Sequence, residues 1–581
     1  MNLRPHRLAP LLSLLSLLSL LGLPVVAACG APKEGAGTRC ENGLDYDEDG
    51  VCDRLAADWS AGATLTPGED RADIFGLGPA GVAAVRAEGL QHALVWPVTT
   101  SRLVLPIRPF EALLNDPDKA QLVDLLEQAA GFRDMDGLYA RLGLLPLPAD
   151  AEDRFGIDLP AGMSTGDPMG AAVVDTPDGE GLVFSCAACH AGNLLGRPVL
   201  GLTNRVARPN AFFHIAKPLV AAVPPEQFAE LTGATDGETA MYARFAAALG
   251  AVGTKEPETL GLDTSLAQVG LSLARRQPDA EATLDEFLAA HPAPNVLDGL
   301  VADSKPAVWW TAKHKTRWLS DGSITSGNPI FTNFLWNEIG RGADLPALEG
   351  WLEDEQRVSD TLTVAVFASE APRWEDWFGA DSIDLAAAQA GEQLFLAQCA
   401  ACHGVYEKGW SAADADDRDA AGLLATTRVV YHAQTPRVDV GTSPGRAAGM
   451  EGLAEGLNRL DISQWMGTVV EVGEGYVPPP LDGIWSRYPY LHNGAVPSLC
   501  ALLSPVSERP TLFVQGPSDS ETDYDVDCVG YPVGEDIPHT WWDIEDAPYD
   551  TTQPGRSNQG HETFSGTAEE RAQLITFLKT L

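Results

Sequence analysis

Apolar positions in this chain gather into a few short stretches, separated by long polar connections rich in Gly and Pro. Residues 120–144 and 236–249 space their apolar side chains at three and four, the period of an amphipathic helix. Residues 385–398, LAAAQAGEQLFLAQ, follow Asp384, whose carboxylate suits a helix N-cap. Within that run Gly391 and Phe395 lie one turn apart. At the far end Thr567 and Glu570 have capping-box spacing. Leu574, Phe577, Leu578 and Leu581 then form one apolar stripe. Residues 145–168 and 192–209 are punctuated by Pro and Gly and predict loops, and residues 181–185 do not extend into a long helix. The expected fold is mainly α, with long loops and few short strands.

The first residues read as an export signal. Arg4, His6 and Arg7 precede a Leu/Ser-rich apolar run over residues 8–23, too short and too N-terminal for a membrane span. Val26-Ala27-Ala28-Cys29-Gly30 resembles a bacterial lipoprotein box. Residues 1–28 are therefore expected to be a lipoprotein-type signal peptide, with Cys29 lipidated. Ordinary cleavage after Ala27 or Ala28 is the alternative. No other run is long and apolar enough to cross a bilayer, so the expected membrane contact is the lipid anchor alone, and the expected place is the periplasm, outer membrane or cell surface.

Residues 29–59 form a small-residue tether and an acidic loop. Asp45, Asp47, Asp49, Gly50 and Asp53 occupy the first, third, fifth, sixth and ninth places of an EF-hand-type loop, while Ala56 stands where the closing glutamate would be. The pattern resembles the shorter thrombospondin type 3 or dockerin calcium repeat, and predicts a structural calcium ion; a plain acidic linker is the alternative. Residues 60–375 and 376–581 are then expected as an N-terminal and a C-terminal domain.

Charge narrows the partners. A formal net charge of −42 excludes nucleic acid, whose phosphates would repel the chain. It suits a basic partner protein.

The chemistry is carried by a repeated pentapeptide. Cys186-Ala-Ala-Cys189-His190 and Cys399-Ala-Ala-Cys402-His403 both fit Cys-x-x-Cys-His, the pattern for covalent attachment of c-type haem. The thiols add across the haem vinyl groups, and the histidine comes under the ring to ligate iron. A zinc half-site would need a second thiol pair nearby, and a dithiol redox pair would not need the histidine. Two covalently bound haem c groups are expected. Of the nine cysteines these motifs use four and the lipobox one, leaving Cys40, Cys52, Cys500 and Cys528. Sequence neighbours suggest Cys40–Cys52 and Cys500–Cys528, but three pairings are open.

Pro480-Leu-Asp-Gly-Ile-Trp-Ser-Arg-Tyr-Pro-Tyr-Leu-His492-Asn-Gly-Ala-Val-Pro-Ser-Leu499 carries a longer signature, continued by Glu508–Phe513, Tyr524-Asp525, Val529-Gly530-Tyr531 and Asp550–His561. It resembles di-haem proteins of the bacterial cytochrome c peroxidase superfamily, and within it the rubber-oxygenase-like di-haem cytochromes. The Gly-x-x-x-Phe run before Cys399 is similar to the first helix of cytochrome c. The resemblance is specific over about residues 385–581, moderate over 181–206 and 305–323, and absent before about residue 60.

The resemblance implies a six-coordinate C-terminal haem, with His403 proximal and His561, in its Asn-x-Gly-His setting, distal. It implies that His492 holds the pocket near a haem edge; ligation by His492 in place of His561 is the alternative. It implies that the N-terminal haem, on His190, has no tight distal ligand and meets dioxygen or peroxide. His214 and His314 are the candidates there by composition, and Phe331 and Phe334 would line an apolar pocket. Trp309, Trp310 and Trp318 are candidates for a stepping stone between haems. The implied function is a di-haem oxidoreductase with a reactive N-terminal haem and a relaying C-terminal haem. A non-catalytic electron carrier and a surface-anchored haem sensor or store are the other readings.

Overall fold

The two stretches that open and close the C-terminal part form helices and pack on each other. Helix Leu385–Gln398 starts at Asp384, whose carboxylate accepts from the backbone N–H of Ala386 and Ala387. Helix Ala568–Lys579 starts in the expected box, Thr567 and Glu570 each bonding the other's backbone. They meet at Gly391, where a Cβ would fall 2.0 Å from the Gln573 carbonyl oxygen. Only glycine allows that approach. One turn on, Phe395 and Phe577 pack with ring centroids 5.2 Å apart, and Leu574, Phe577, Leu578 and Leu581 are all buried.

The computed structural model describes residues 38–40, 43–45, 58–95, 104–257, 259–262 and 264–581. The signal peptide, Cys29, Cys52 and the side chain of Cys40 lie outside the described residues, and with them the Cys40–Cys52 pairing. So do the side chains of the calcium-loop carboxylates Asp45, Asp47, Asp49 and Asp53; the backbone there shows a short antiparallel pair, Thr38–Cys40 with Gly43–Asp45. Among the described residues no helix is long and apolar enough to cross a membrane.

The fold is mainly helical, and its strands are short. The largest sheet has three antiparallel strands, with Gly179–Phe184 between Leu105–Pro106 and Ala171–Thr176. The others are two-stranded ribbons. Residues from Asp53 to Leu581 make one compact unit, and the boundary expected at 375 falls inside it. The cause is a shared core. Leu194, Leu202 and Trp310 pack with Trp374, Phe395, Trp485, Tyr488 and Phe577 in one buried cluster. A second cluster, around Phe132, Leu182, Phe213 and Phe245, backs the first haem motif through Ala188.

Local differences from the expected elements have local causes. Residues 120–144 form two helices, Ala120–Ala130 and Met135–Arg141, because Gly131 turns left-handed and Asp134 caps the second. The helix over 236–249 runs Asp236–Ala251 behind a Thr235 capping box. Residues 145–168 contain one short helix, Ala151–Phe155. Residues 192–209 contain most of a hairpin, Ala191–Leu194 with Arg197–Leu200, in which Gly196 supplies a positive φ at the turn. Cys500 and Cys528 form the expected disulfide.

Candidate functional site

Each Cys-x-x-Cys-His segment folds as one short helical turn, Ala187–His190 and Ala400–His403. A turn of this size brings the second cysteine and the histidine onto the side of the first. None of the four motif cysteines is in a disulfide, unlike Cys500 and Cys528. That is the state thioether formation requires.

Around the second motif the histidine is fixed twice. Its Nδ1 lies 2.8 Å from the Pro479 carbonyl oxygen. A carbonyl only accepts, so Nδ1 carries the proton and Nε2 keeps its lone pair free for a metal. Burial pushes the ring down to about 4, so it stays neutral, the form that ligates. The Tyr406 hydroxyl donates to the His403 carbonyl at 3.0 Å.

His561 faces it. The two imidazole centroids are 6.1 Å apart, with 53° between the planes. A metal held between two imidazole nitrogens at the roughly 2.0–2.1 Å of imidazole–zinc bonds would put the centroids roughly 6.3 Å apart. The pair therefore fits an iron between them. His561 has a left-handed backbone, φ 55°, unusual for a residue with a side chain. Gly560 before it is also left-handed, and a Cβ there would fall 2.4 Å from the Gly441 carbonyl carbon, an approach only glycine allows. Arg509 pins the loop by donating to the carbonyls of Asn558 and Gly560, and the His561 N–H donates to Val440 at 2.8 Å.

Between the two rings opens a cavity of about 280 Å³, lined by Cys399, Cys402, His403, His492 and His561. No Asp or Glu lines it, although the chain is strongly acidic. Lys305, Lys315 and Arg487 do. Burial pushes Lys315 down to about 8, Lys305 well below the usual range for lysine, and Arg487 down; Asp482 acts on Arg487 from outside the lining. Lys315 is buried and Lys305 and Arg487 are half-buried, and no carboxylate among the described lining residues sits with them at the cavity. Two haem propionates would provide that negative charge, so charge and axial donors both fit haem. His492 stacks on Tyr476, centroids 3.9 Å apart, and burial lowers its ring to about 3. It borders the cavity, and His561, not His492, is the ring opposite His403.

The first motif has other surroundings. The His190 ring is buried and held neutral, lowered to about 4 by desolvation. The Ala307 backbone faces its Nδ1 but does not complete a well-aligned hydrogen bond. Among the described residues its ring neighbour is Trp309, at 5.6 Å. The turn is fastened by backbone: Asn204 Nδ2 donates to Gly143 and Ala188, and the N–H of Asn204 and Gly201 donate to Cys189 and His190.

One segment touches both sites. Lys305 N–H donates to the His492 carbonyl, and Trp309 N–H to that of Gly201. Pro306 to Val308 line the cavity of His403, while Trp309 lies on His190. Trp310 Nε1 donates to the Asp482 carbonyl at 2.8 Å, three residues beyond the Pro479 that holds His403. Arg205 adds a tie, its guanidinium donating to the Tyr488, Ser486 and Asn193 carbonyls.

Other candidates lie elsewhere. His214 is largely exposed and points toward Glu256. His314 is buried under the charges of Asp482 and Asp70. Phe331 is half-buried, and Phe334 packs on Trp351. Trp318 lies tilted against Trp59, centroids 5.6 Å apart, under the Arg71 guanidinium and away from both motifs' ring contacts. Residue reasoning singled out none of Lys305, Lys315 and Arg487. Arg487 stood inside the 480–499 signature and the two lysines beside Trp309–Trp310, which is the signal that marked them.

Residues 475–514 match the family described as RoxA-like, cytochrome c-like. That stretch contains Pro479, Asp482, Arg487 and His492. An uncharacterised protein of Sinorhizobium fredii, y4iJ, is 42% identical over 118 residues, covering 18% of this chain and 18% of its own. A second from the same organism, y4iM, is 29% identical over 243 residues, covering 34% and 49%. The chain spans less than half the length of these relatives. The family match supports a c-type cytochrome of the RoxA-like kind, hence covalently bound haem c and an oxidoreductase or electron-transfer role.

Proposed function

We propose that the chain is an extracytoplasmic di-haem c-type oxidoreductase, in which the second motif serves an electron-relay haem and the first a haem open to peroxide or dioxygen. The observation that carries this is the asymmetry of the two histidines: His403 faces His561, whereas Trp309 is the ring against His190 among the described residues. When bound, haem c supplies a one-electron couple and, where a coordination position is open, a place for a small oxidant. Pro479 keeps the Nδ1 proton on His403 and so keeps its Nε2 basic. Arg509 holds the His561 loop against the cavity. Lys305, Lys315 and Arg487, which line the cavity, would balance the charge of haem propionates held there. Trp309, Trp310 and the 479–482 backbone connect the two histidines through one ring contact and two hydrogen bonds.

The same reading places the protein outside the cytoplasm on a lipidated Cys29, with a structural calcium at Asp45, Asp47, Asp49 and Asp53 and a basic redox partner. Acidic composition and the lipobox-like start support it. The second reading, a closed electron carrier, is favoured by the burial of both motif histidines.

Carbon monoxide separates the two. The dithionite-reduced holoprotein should bind one carbon monoxide per two haems, and His561→Ala should bind two. An unchanged low-spin spectrum in His561→Ala would refute the ligand assignment. No binding to wild type would leave the closed carrier standing.

A further inference from the structure

Trp310, at the junction of the two sites, shares one buried core with Trp374 and Trp485, which lead away from both. Gly483, left-handed at φ 61°, has Trp310 Cζ2 3.4 Å and Pro372 Cδ 3.5 Å from the position a Cβ would take. Pro372 accepts the indole N–H of Trp485 at 2.9 Å. Trp485 in turn packs edge-on against Trp374 at 5.4 Å and Trp377 at 5.5 Å. Trp374 and Trp485 are fully buried, and Trp377 is half-buried.

We propose that Trp310, Trp485 and Trp377 form an electron-supply route from the surface to the inter-haem junction, used when the first site meets excess peroxide. This rests on the peroxide-reactive reading given above. Hydrogen peroxide takes two electrons and two protons to become two waters. The protein's redox groups supply both electrons, at least one of them through these indoles, and solvent supplies the protons. The electron given up leaves a hole that passes outward, Trp310 to Trp485 to Trp377.

Three features fit a conduit that is normally silent. Every indole N–H on the route donates to a neutral acceptor: Trp310 to Asp482 O, Trp485 to Pro372 O, Trp377 to Leu194 O. An oxidised indole therefore keeps its proton, and the electron moves without one. The adjoining Tyr524 lacks that freedom. Its phenol donates to the Trp485 carbonyl, and burial pushes it well above the usual range, so oxidation would strand its proton. Finally, Arg197 lies 5.5 Å over the Trp377 ring and Lys579 4.7 Å over Trp374. Positive charge over an indole disfavours its oxidation. A c-type couple alone would not draw on the route; a strong oxidant would.

The test treats the holoprotein with hydrogen peroxide, follows the haem absorption, and maps oxidised residues by peptide mass spectrometry. Wild type should gain oxygen at Trp377 and keep most of its haem absorbance. Trp485→Phe keeps the packing but interrupts the route; its Trp377 oxidation should fall at least several-fold while haem bleaching rises. Arg197→Gln should raise Trp377 oxidation. A haem spectrum indifferent to peroxide would overturn the peroxide reading and this route together. A responsive haem with unmodified Trp377, or with equal Trp377 oxidation in Trp485→Phe, would overturn the route alone.

Discussion

The two Cys-Ala-Ala-Cys-His turns are identical in sequence and differ in everything that surrounds them. The second follows a fourteen-residue helix whose glycine seats it on the terminal helix. Its histidine meets another histidine across an apolar cavity edged with cations. The first follows the central strand of a small sheet, and its histidine meets a tryptophan. An attachment motif thus specifies where a cofactor is bound, while the chemistry open to it is decided by residues far away in the chain. His561 lies in a loop just ahead of the terminal helix, and Trp309 lies in a segment shared with the other site.

The mode of support differs as well, and this can be broken most strongly at the second region. Helices Leu385–Gln398 and Ala568–Lys579 are joined by side-chain packing, with Phe577 buried against Phe395 and Trp410. Phe577→Ala should cost about 3–5 kcal/mol, the range for an excised core phenylalanine. Chemical denaturation of the holoprotein measures it. A loss under about 1 kcal/mol would mean that the helix pair collapses onto the void and is not a rigid seat.

The first region should respond less, because hydrogen bonds hold it where packing holds the second. Asn204 is almost fully buried; it donates to Gly143 and Ala188 and accepts from Val206 N–H. Asn204→Ala leaves those groups unpaired and should cost about 1–3 kcal/mol. On the di-haem reading proposed above, it should also shift the spectrum of a haem on His190 while leaving that of a haem on His403 as in wild type. Equal shifts at both would show that the two sites are not separately supported.

How much of this was legible follows the same divide. The two helices and their caps were legible, because each depends on short-range spacing; the Gly391 contact joins residues far apart in the chain and was not, and Cys500–Cys528 was one of three open pairings, suggested only by nearness in sequence. The His561 position was legible only through resemblance: a lone histidine in a glycine-rich loop carries no periodic signal, and the loop is held by Arg509, about fifty residues away in sequence, and by Val440. The hairpin inside residues 191–200 was missed because its Pro and Gly read as loop, although Gly196 is what the tight turn needs. The cations at Lys305, Lys315 and Arg487 were missed for a different reason. Burial gives a lysine its meaning here, and burial of a polar residue is a tertiary fact.

Lys408 allows the finest test of how the second region is closed. Its ammonium is buried, donates to the Thr580 carbonyl at the end of the terminal helix and to Thr426 Oγ1, and lies over the Trp410 ring. Desolvation pushes it down to about 7 from its usual 10.5, more than Glu375, Asp482 and Glu392 can restore. A lysine lowered on folding binds fewer protons in the native state than in the unfolded chain between those two values. Stability should therefore rise with pH across that window, by at most about 1.4 kcal/mol per pH unit from this group, and the penalty should be full below pH 7. Lys408→Met removes the titration while keeping the length of the side chain. The difference in unfolding free energy between variant and wild type should then favour Met at pH 6 and shrink or reverse by pH 10. The variant does leave the Thr580 carbonyl without its donor, a constant loss of about 1–3 kcal/mol that displaces the whole curve and does not tilt it. A pH-independent difference would show that this lysine keeps its proton, and that its neighbours or water stabilise the charge in a way the burial argument does not include.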